Sequence, residues 1–109
     1  MRSQEQKYKR FIEISNEQAM IYISKNKDYG DSFSISVKEY GLIAAIVRLE
    51  DKWLRFKRLA KGNQAQVMGE SIIDTLRDMS NYCLMTIMEL EEMQNEHESI
   101  STPSCSDNK

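Results

Sequence analysis

The sequence predicts an all-α fold, an antiparallel bundle of three main helices completed by association of identical chains. Apolar residues recur at three- and four-residue intervals through three long segments. One proline and four glycines in 109 residues are too few for the turns of an all-β design. No period-two run is long enough for a strand of more than a few residues.

The first helix is expected over residues 3–25, with Tyr8, Phe11, Ile12, Ile14, Ala19, Ile21, Tyr22 and Ile23 on one broad face. Residues 26–34, "NKDYGDSFS", carry Asp-Tyr-Gly-Asp-Ser turn chemistry and predict a break. The second helix is expected over 37–61, with Ser36 as N-cap and Glu39 three residues on as its capping-box partner. Its apolar stripe is Leu42, Ala45, Ile46, Leu49, Trp53 and Phe56. Gly62 and Asn63 end it behind Lys57, Arg58 and Lys61, cations that the helix dipole favours there. Residues 62–69, "GNQAQVMG", read as a loop. The third helix is expected over 70–96 on the stripe Ile72, Leu76, Met79, Cys83, Ile87 and Leu90. The chain therefore divides into a domain over 1–96 and a polar, disordered tail over 97–109.

The third helix is apolar beyond its stripe, at Ile73, Leu84, Met85 and Met88. Three helices in so short a chain make a thin core. These flanks predict cover by a second copy, as a homodimer or homotetramer.

Composition excludes several classes. A net charge of −2 gives no bulk attraction to a nucleic acid polymer or an acidic membrane. The charged N-terminus predicts no signal peptide, and no stretch approaches the roughly 20 apolar residues of a membrane span. Cys83 in a helical pattern and Cys105 in a polar tail do not suggest a disulfide, which fits a cytoplasmic location. With His97 as the single histidine, neither a Cys/His zinc cluster nor a His-based triad is expected.

Two polar stripes remain. In "GESIIDTLRDMSNY", Glu70, Asp74 and Asp78 recur every fourth residue, which stacks three carboxylates on one side of a helix. In "RLEDKWLR", Arg48, Asp51 and Arg55 share a face, with Lys52 beside them. One reading makes both stripes solvated faces, the second an ordinary ion-pair ladder. The other makes them a site between helices. Asp51, Glu70, Asp74 and Asp78 would hold a hard divalent cation such as Mg²⁺, and Arg48, Lys52 and Arg55 would neutralise phosphate. In "KNKDYGDSF", Lys25 and Lys27 add cations, Tyr29 can stack or hydrogen-bond, and Gly30 lets backbone approach a ligand.

"KNKDYGDSF", "YGLIAAIVRLEDKWLRFKRL" and "ESIIDTLRDMSNYCLMTIMEL", in that order and over residues 20–91, resemble the nucleotide modification associated domain 1 family, small proteins common in bacteriophages. That family is similar to the all-α nucleoside triphosphate pyrophosphatases, the MazG and dimeric dUTPase superfamily. The resemblance implies a MazG-like helical bundle that assembles as dimers or tetramers in the host cytoplasm. It implies a nucleotide ligand, Mg²⁺ held by acids on two adjacent helices, and cleavage between the α and β phosphates. Where that superfamily carries ExxE, this chain has Arg48–Leu49–Glu50–Asp51, with arginine in place of one acid; the second motif, usually ExxD, is here the four-spaced Glu70, Asp74 and Asp78.

Two functions follow. In the first, a hydrolase, Asp51, Glu70 and Asp74 are catalytic and, with Asp78, bind the metal. Lys25, Lys27, Asp28, Tyr29, Arg48, Lys52, Arg55, Asn81 and Tyr82 then bind substrate. In the second, the same cationic pocket traps a nucleotide, such as a host antiviral signal, without chemistry, a reading that Arg48 favours. A helical interaction module with solvated charges is the third and plainest option.

Overall fold

The computed structural model describes residues 1–62 and 70–101, with side chains at 1–62 and 71–97. The described residues form four α-helices and no strand: α1 (Gln4–Tyr29), α2 (Ser32–Tyr40), α3 (Ile43–Lys61) and α4 (Glu70–Ser101). The all-α class is as expected, but the three main helices are four.

α1 starts where the sequence indicates. Ser3 is its N-cap and forms a capping box: the Gln6 N–H donates to Ser3 Oγ at 3.2 Å and the Ser3 N–H donates to Gln6 Oε1 at 2.8 Å. The helix then runs past the expected end at 25 to Tyr29. Only Gly30 and Asp31 turn the chain, both left-handed, with φ 63° and 61°. Glycine adopts that conformation freely, and aspartate tolerates it better than most residues. The expected turn over 26–34 thus shrinks to its Gly-Asp centre.

The expected second helix is divided. Gly41, at φ 81° and ψ −165°, ends α2 and lets the chain restart as α3. That backbone region is essentially restricted to glycine. Ser36 lies inside α2 and caps nothing; Asp31 and Leu42 precede α2 and α3 without a side-chain cap. α4 continues beyond Glu96 to Ser101. The expected loop at 63–69 and the rest of the expected tail, 102–109, lie outside the described residues.

α3 packs chiefly on α4. Arg48 meets Tyr82, Lys52 meets Asp78 and Arg55 meets Thr75, a falling register that makes the pair antiparallel. The fully buried apolar core is small: Phe33, Val37 and Ala45, from α2 and α3, with Ala44, Tyr82, Met85 and Met93 packed against it. Its position corrects the expected stripes. On α4 the inward residues are Thr75, Asn81 and Glu89, while Leu76, Ile87 and Leu90 of the expected stripe are exposed. On α3 only Ala45 of the expected stripe is buried, and Leu42, Ile46 and Trp53 are exposed. The chain buries several polar side chains, Gln18, Ser34, Thr75, Asn81 and Glu89 among them, and leaves much of its apolar surface exposed.

α1 crosses α4 at a polar clamp. Gln18 is 4% exposed. Its Nε2 donates to the Arg77 carbonyl at 2.8 Å, and its Oε1 accepts from Arg77 Nη1 at 3.0 Å. Asn81 Nδ2 donates to the Gln18 carbonyl at 3.3 Å. Outside this clamp, Arg77 Nη2 donates to Glu17 Oε1 at 2.9 Å, and Glu17 also meets Arg10 at 3.3 Å. The hydrogen bond from Arg77, then that from Arg10, hold the Glu17 carboxyl below the usual carboxylate range.

Candidate functional site

One pocket draws on all four helices. It has a volume of about 390 Å³ and is lined by Tyr22, Lys25, Asn26 and Tyr29 of α1, Ser32 and Phe33 of α2, Arg48 and Lys52 of α3, and Asp78, Asn81, Tyr82 and Met85 of α4. The size lies at the lower end of small-molecule sites. The spacing explains the membership. Residues 22, 25, 26 and 29 share one face of α1 once that helix runs to Tyr29; residues 48 and 52 are one turn apart on α3; and 78, 81, 82 and 85 form one stripe of α4.

Among the described residues, the charges lining the pocket are three cations and one carboxylate. Asp78 is held between two lysines, Oδ1 3.2 Å from Lys25 Nζ and Oδ2 3.3 Å from Lys52 Nζ. Arg48 pairs with no acid among the described residues. Its Nη1 donates to the Tyr82 hydroxyl at 3.2 Å, and its guanidinium carbon lies 5.9 Å from the centre of the Tyr82 ring. A guanidinium has five donors, so most of this fork remains available. Phe33 fixes Tyr82 from the other side, ring centres 5.4 Å apart in a tilted arrangement. The Gln18–Asn81 hydrogen bond ties the clamp between α1 and α4 directly to the pocket wall.

Of the residues expected at a site, Lys25, Tyr29, Arg48, Lys52, Asp78, Asn81 and Tyr82 come together here. Lys27 and Asp28 lie on α1 off the lining face and are exposed. Arg55 points to the far end of the α3–α4 seam, where its Nε donates to Thr75 Oγ1 at 3.1 Å. Thr75, 2% exposed, passes its own hydrogen to the Ser71 carbonyl at 2.8 Å. Asp51 and Asp74 are exposed and line no part of the pocket. The side chain of Glu70 lies outside the described residues.

Asp51, Asp74 and Asp78 do not come together within this chain. No three metal-binding side chains converge among the described residues, and both oxygens of Asp78 face lysine nitrogens. What the arrangement can do is hold an anion against Lys25, Arg48 and Lys52, with aromatic rings beside it for a planar group.

Tyr22, Asn26, Ser32, Phe33 and Met85 are pocket residues beyond those expected from the sequence. Tyr22 and Asn26 had a usable signal, their helical spacing from Tyr29. Phe33 and Ser32 had none, because their approach depends on the turn at Gly30.

A small all-α chain whose four helices converge on a cationic, aromatic-walled pocket is thus the class of protein that the fold and site define. By sequence it belongs to the nucleotide modification associated domain 1 family, whose model matches residues 25–90. The match spans every pocket residue except Tyr22. No curated protein and no solved structure matches the chain significantly.

Proposed function

We propose that the pocket binds a nucleotide, with its phosphates against Arg48, Lys52 and Lys25 and its base against Tyr29 and Tyr82. The observation that carries this reading is the excess of cations: three basic groups face one acid, and Arg48 offers a guanidinium fork paired to no carboxylate among the described residues. An arginine fork matches phosphate geometry bidentately. Membership of a nucleotide modification associated family supports the same ligand class.

Binding without cleavage is the form this arrangement favours, as expected of a protein that sequesters a nucleotide signal. Mg²⁺-dependent cleavage between the α and β phosphates would need the acids of α3 and α4 to converge, and the described ones do not. The distinguishing experiment incubates the protein with mixed nucleoside triphosphates and Mg²⁺. The ligand retained after desalting and the pyrophosphate released are then measured. The binding reading predicts retained nucleotide and no pyrophosphate above the protein-free control. Steady release of pyrophosphate with turnover would establish the hydrolase instead, and neither retention nor release would remove both.

Self-association is part of the proposal. Ile46 and Trp53 on α3 and Ile87, Met88 and Leu90 on α4 are each two-fifths or more exposed. Large apolar side chains exposed on two packed helices are suited to cover by a second copy, in a homodimer or homotetramer.

A further inference from the structure

Asp78 is the one acid lining the pocket among the described residues, and both of its oxygens face the ammonium groups that the proposed ligand would use. We infer that Asp78 is a resident counter-anion that a ligand phosphate displaces, so that the pocket selects terminal phosphates carrying two negative charges over phosphodiesters carrying one. This inference rests on the nucleotide-binding reading above and deepens it.

The geometry supplies the exchange. The Lys25–Asp78–Lys52 bridge has distances of 3.2 and 3.3 Å; the Asp78 and Lys52 side chains are 28% and 26% exposed, and on the Lys25 side the bridge opens to water, at 57%. Pairs this open to water are weak and readily exchanged. Asp78 lies one helical turn from Tyr82, so both approach the anion place from α4. Arg48 faces that place from α3 with donors to spare.

Charge then sets the selectivity. A monoanion that replaces the carboxylate leaves the two lysines with the same countercharge they had, so the exchange gains little. A phosphomonoester is close to dianionic at neutral pH, and a pyrophosphate or triphosphate carries more. Either brings at least one additional negative charge to Lys25, Lys52 and Arg48. The favoured ligands are therefore nucleoside mono-, di- or triphosphates with a free terminal phosphate. The internal phosphates of a nucleic acid strand and of a 3′,5′-cyclic nucleotide are disfavoured.

The test titrates the full chain, in EDTA, with inorganic pyrophosphate, AMP and 3′,5′-cyclic AMP. The wild type is expected to bind pyrophosphate, and to bind AMP at least tenfold more tightly than cyclic AMP. Asp78→Asn is expected to bind pyrophosphate more tightly than the wild type and to narrow the gap between AMP and cyclic AMP to about threefold or less. Inorganic phosphate should also raise the melting temperature of Asp78→Asn by more than it raises that of the wild type. Asp78→Ser takes its place if the amide variant does not fold.

Weaker binding by Asp78→Asn, or an unchanged gap, overturns the counter-anion role. Arg48→Gln separates this from failure of the underlying reading. If Asp78→Asn gives either of those results while the wild type binds and Arg48→Gln does not, the pocket stands and only the role of Asp78 has failed. If the wild type does not bind while Asp78→Asn does, phosphate does not displace Asp78 and the proposed exchange is wrong. If neither binds any probe, both readings are wrong.

Discussion

Gly41 sits at φ 81° and ψ −165° with nothing within 4 Å of the place a Cβ would occupy. Space is therefore not what excludes a side chain; the backbone is. Gly41→Ala should lower stability by about 1–3 kcal/mol through conformational strain alone, which chemical denaturation can measure. Gly30→Ala, in the simpler left-handed cap, should lower it by about 1–2 kcal/mol. Glu89 poses the opposite case. It is 8% exposed, lies on the inward face of α4 one turn from Met85 and from Met93, and makes no hydrogen bond or ion pair among the described residues. Glu89→Met removes an unsatisfied buried carboxylate and should stabilise the fold by about 1–3 kcal/mol. A loss of stability would mean that this carboxylate finds a partner in the assembled protein. Residue by residue, the sequence made much of the site legible. Arg48, Lys52, Asp78, Asn81 and Tyr82 are polar or aromatic groups set one turn apart within helical patterns, and all of them line the pocket. Asp51 and Asp74 read identically in one dimension, but which way a helix turns its polar stripe is settled by its neighbours.

The Gln18–Arg77–Asn81 clamp is what fixes α1 across α4. Gln18→Ala leaves Arg77 and Asn81 short of their partners and should cost about 1–3 kcal/mol. It should also weaken ligand binding, because Lys25 and Tyr29 reach the pocket from α1. Glu17, on the exposed flank of the clamp, adds a pH dependence. Its folded carboxyl is held below its ordinary range by Arg77 and Arg10. Its contribution is therefore fully present above the ordinary carboxylate range and is lost as pH falls through the depressed value. Glu17→Gln should be less stable than the wild type at neutral pH, and the difference should vanish in acid. Equal stability at all pH values would show that these exposed pairs contribute nothing.

At this scale the long helices were readable from their period. The break at Gly41 was not, because apolar residues keep helical spacing on both sides of it. One glycine inside such a pattern does not by itself announce a restart. The extension of α1 through Lys27 and Asp28 was hidden for a related reason: of the turn-forming residues in this stretch, only Gly30 and Asp31 take the left-handed backbone that ends the helix.

As a whole the molecule is long for its size. Its radius of gyration is 18.0 Å, against about 13 Å for a compact domain of this length. The 32 residues of α4 alone span about 48 Å at 1.5 Å per residue. No helix among the described residues is long and apolar enough to cross a membrane. α3 and α4 nevertheless expose large apolar side chains, which the proposed self-association would cover. The chain should scatter light as a dimer or larger at micromolar concentration, and Met88→Glu should shift it toward smaller species. A monomeric wild type would remove this part of the account. The expectation of a second copy came from the breadth of apolar surface on α4. The structure widens its basis, because several residues of the main stripes, and not only of their flanks, are exposed.

The most direct test of the pocket is a calorimetric titration with a nucleoside triphosphate, with and without Mg²⁺, of three proteins: the wild type, Arg48→Gln and Asp74→Asn. Arg48 faces the pocket with its fork unpaired to any acid among the described residues, whereas Asp74 is exposed and outside the lining. Arg48→Gln should weaken binding at least tenfold, about 1.4 kcal/mol, and Asp74→Asn should leave it within about twofold. Tight binding by Arg48→Gln together with a tenfold loss in Asp74→Asn that appears only with Mg²⁺ would contradict the cationic pocket and place the site on the acidic stripe instead.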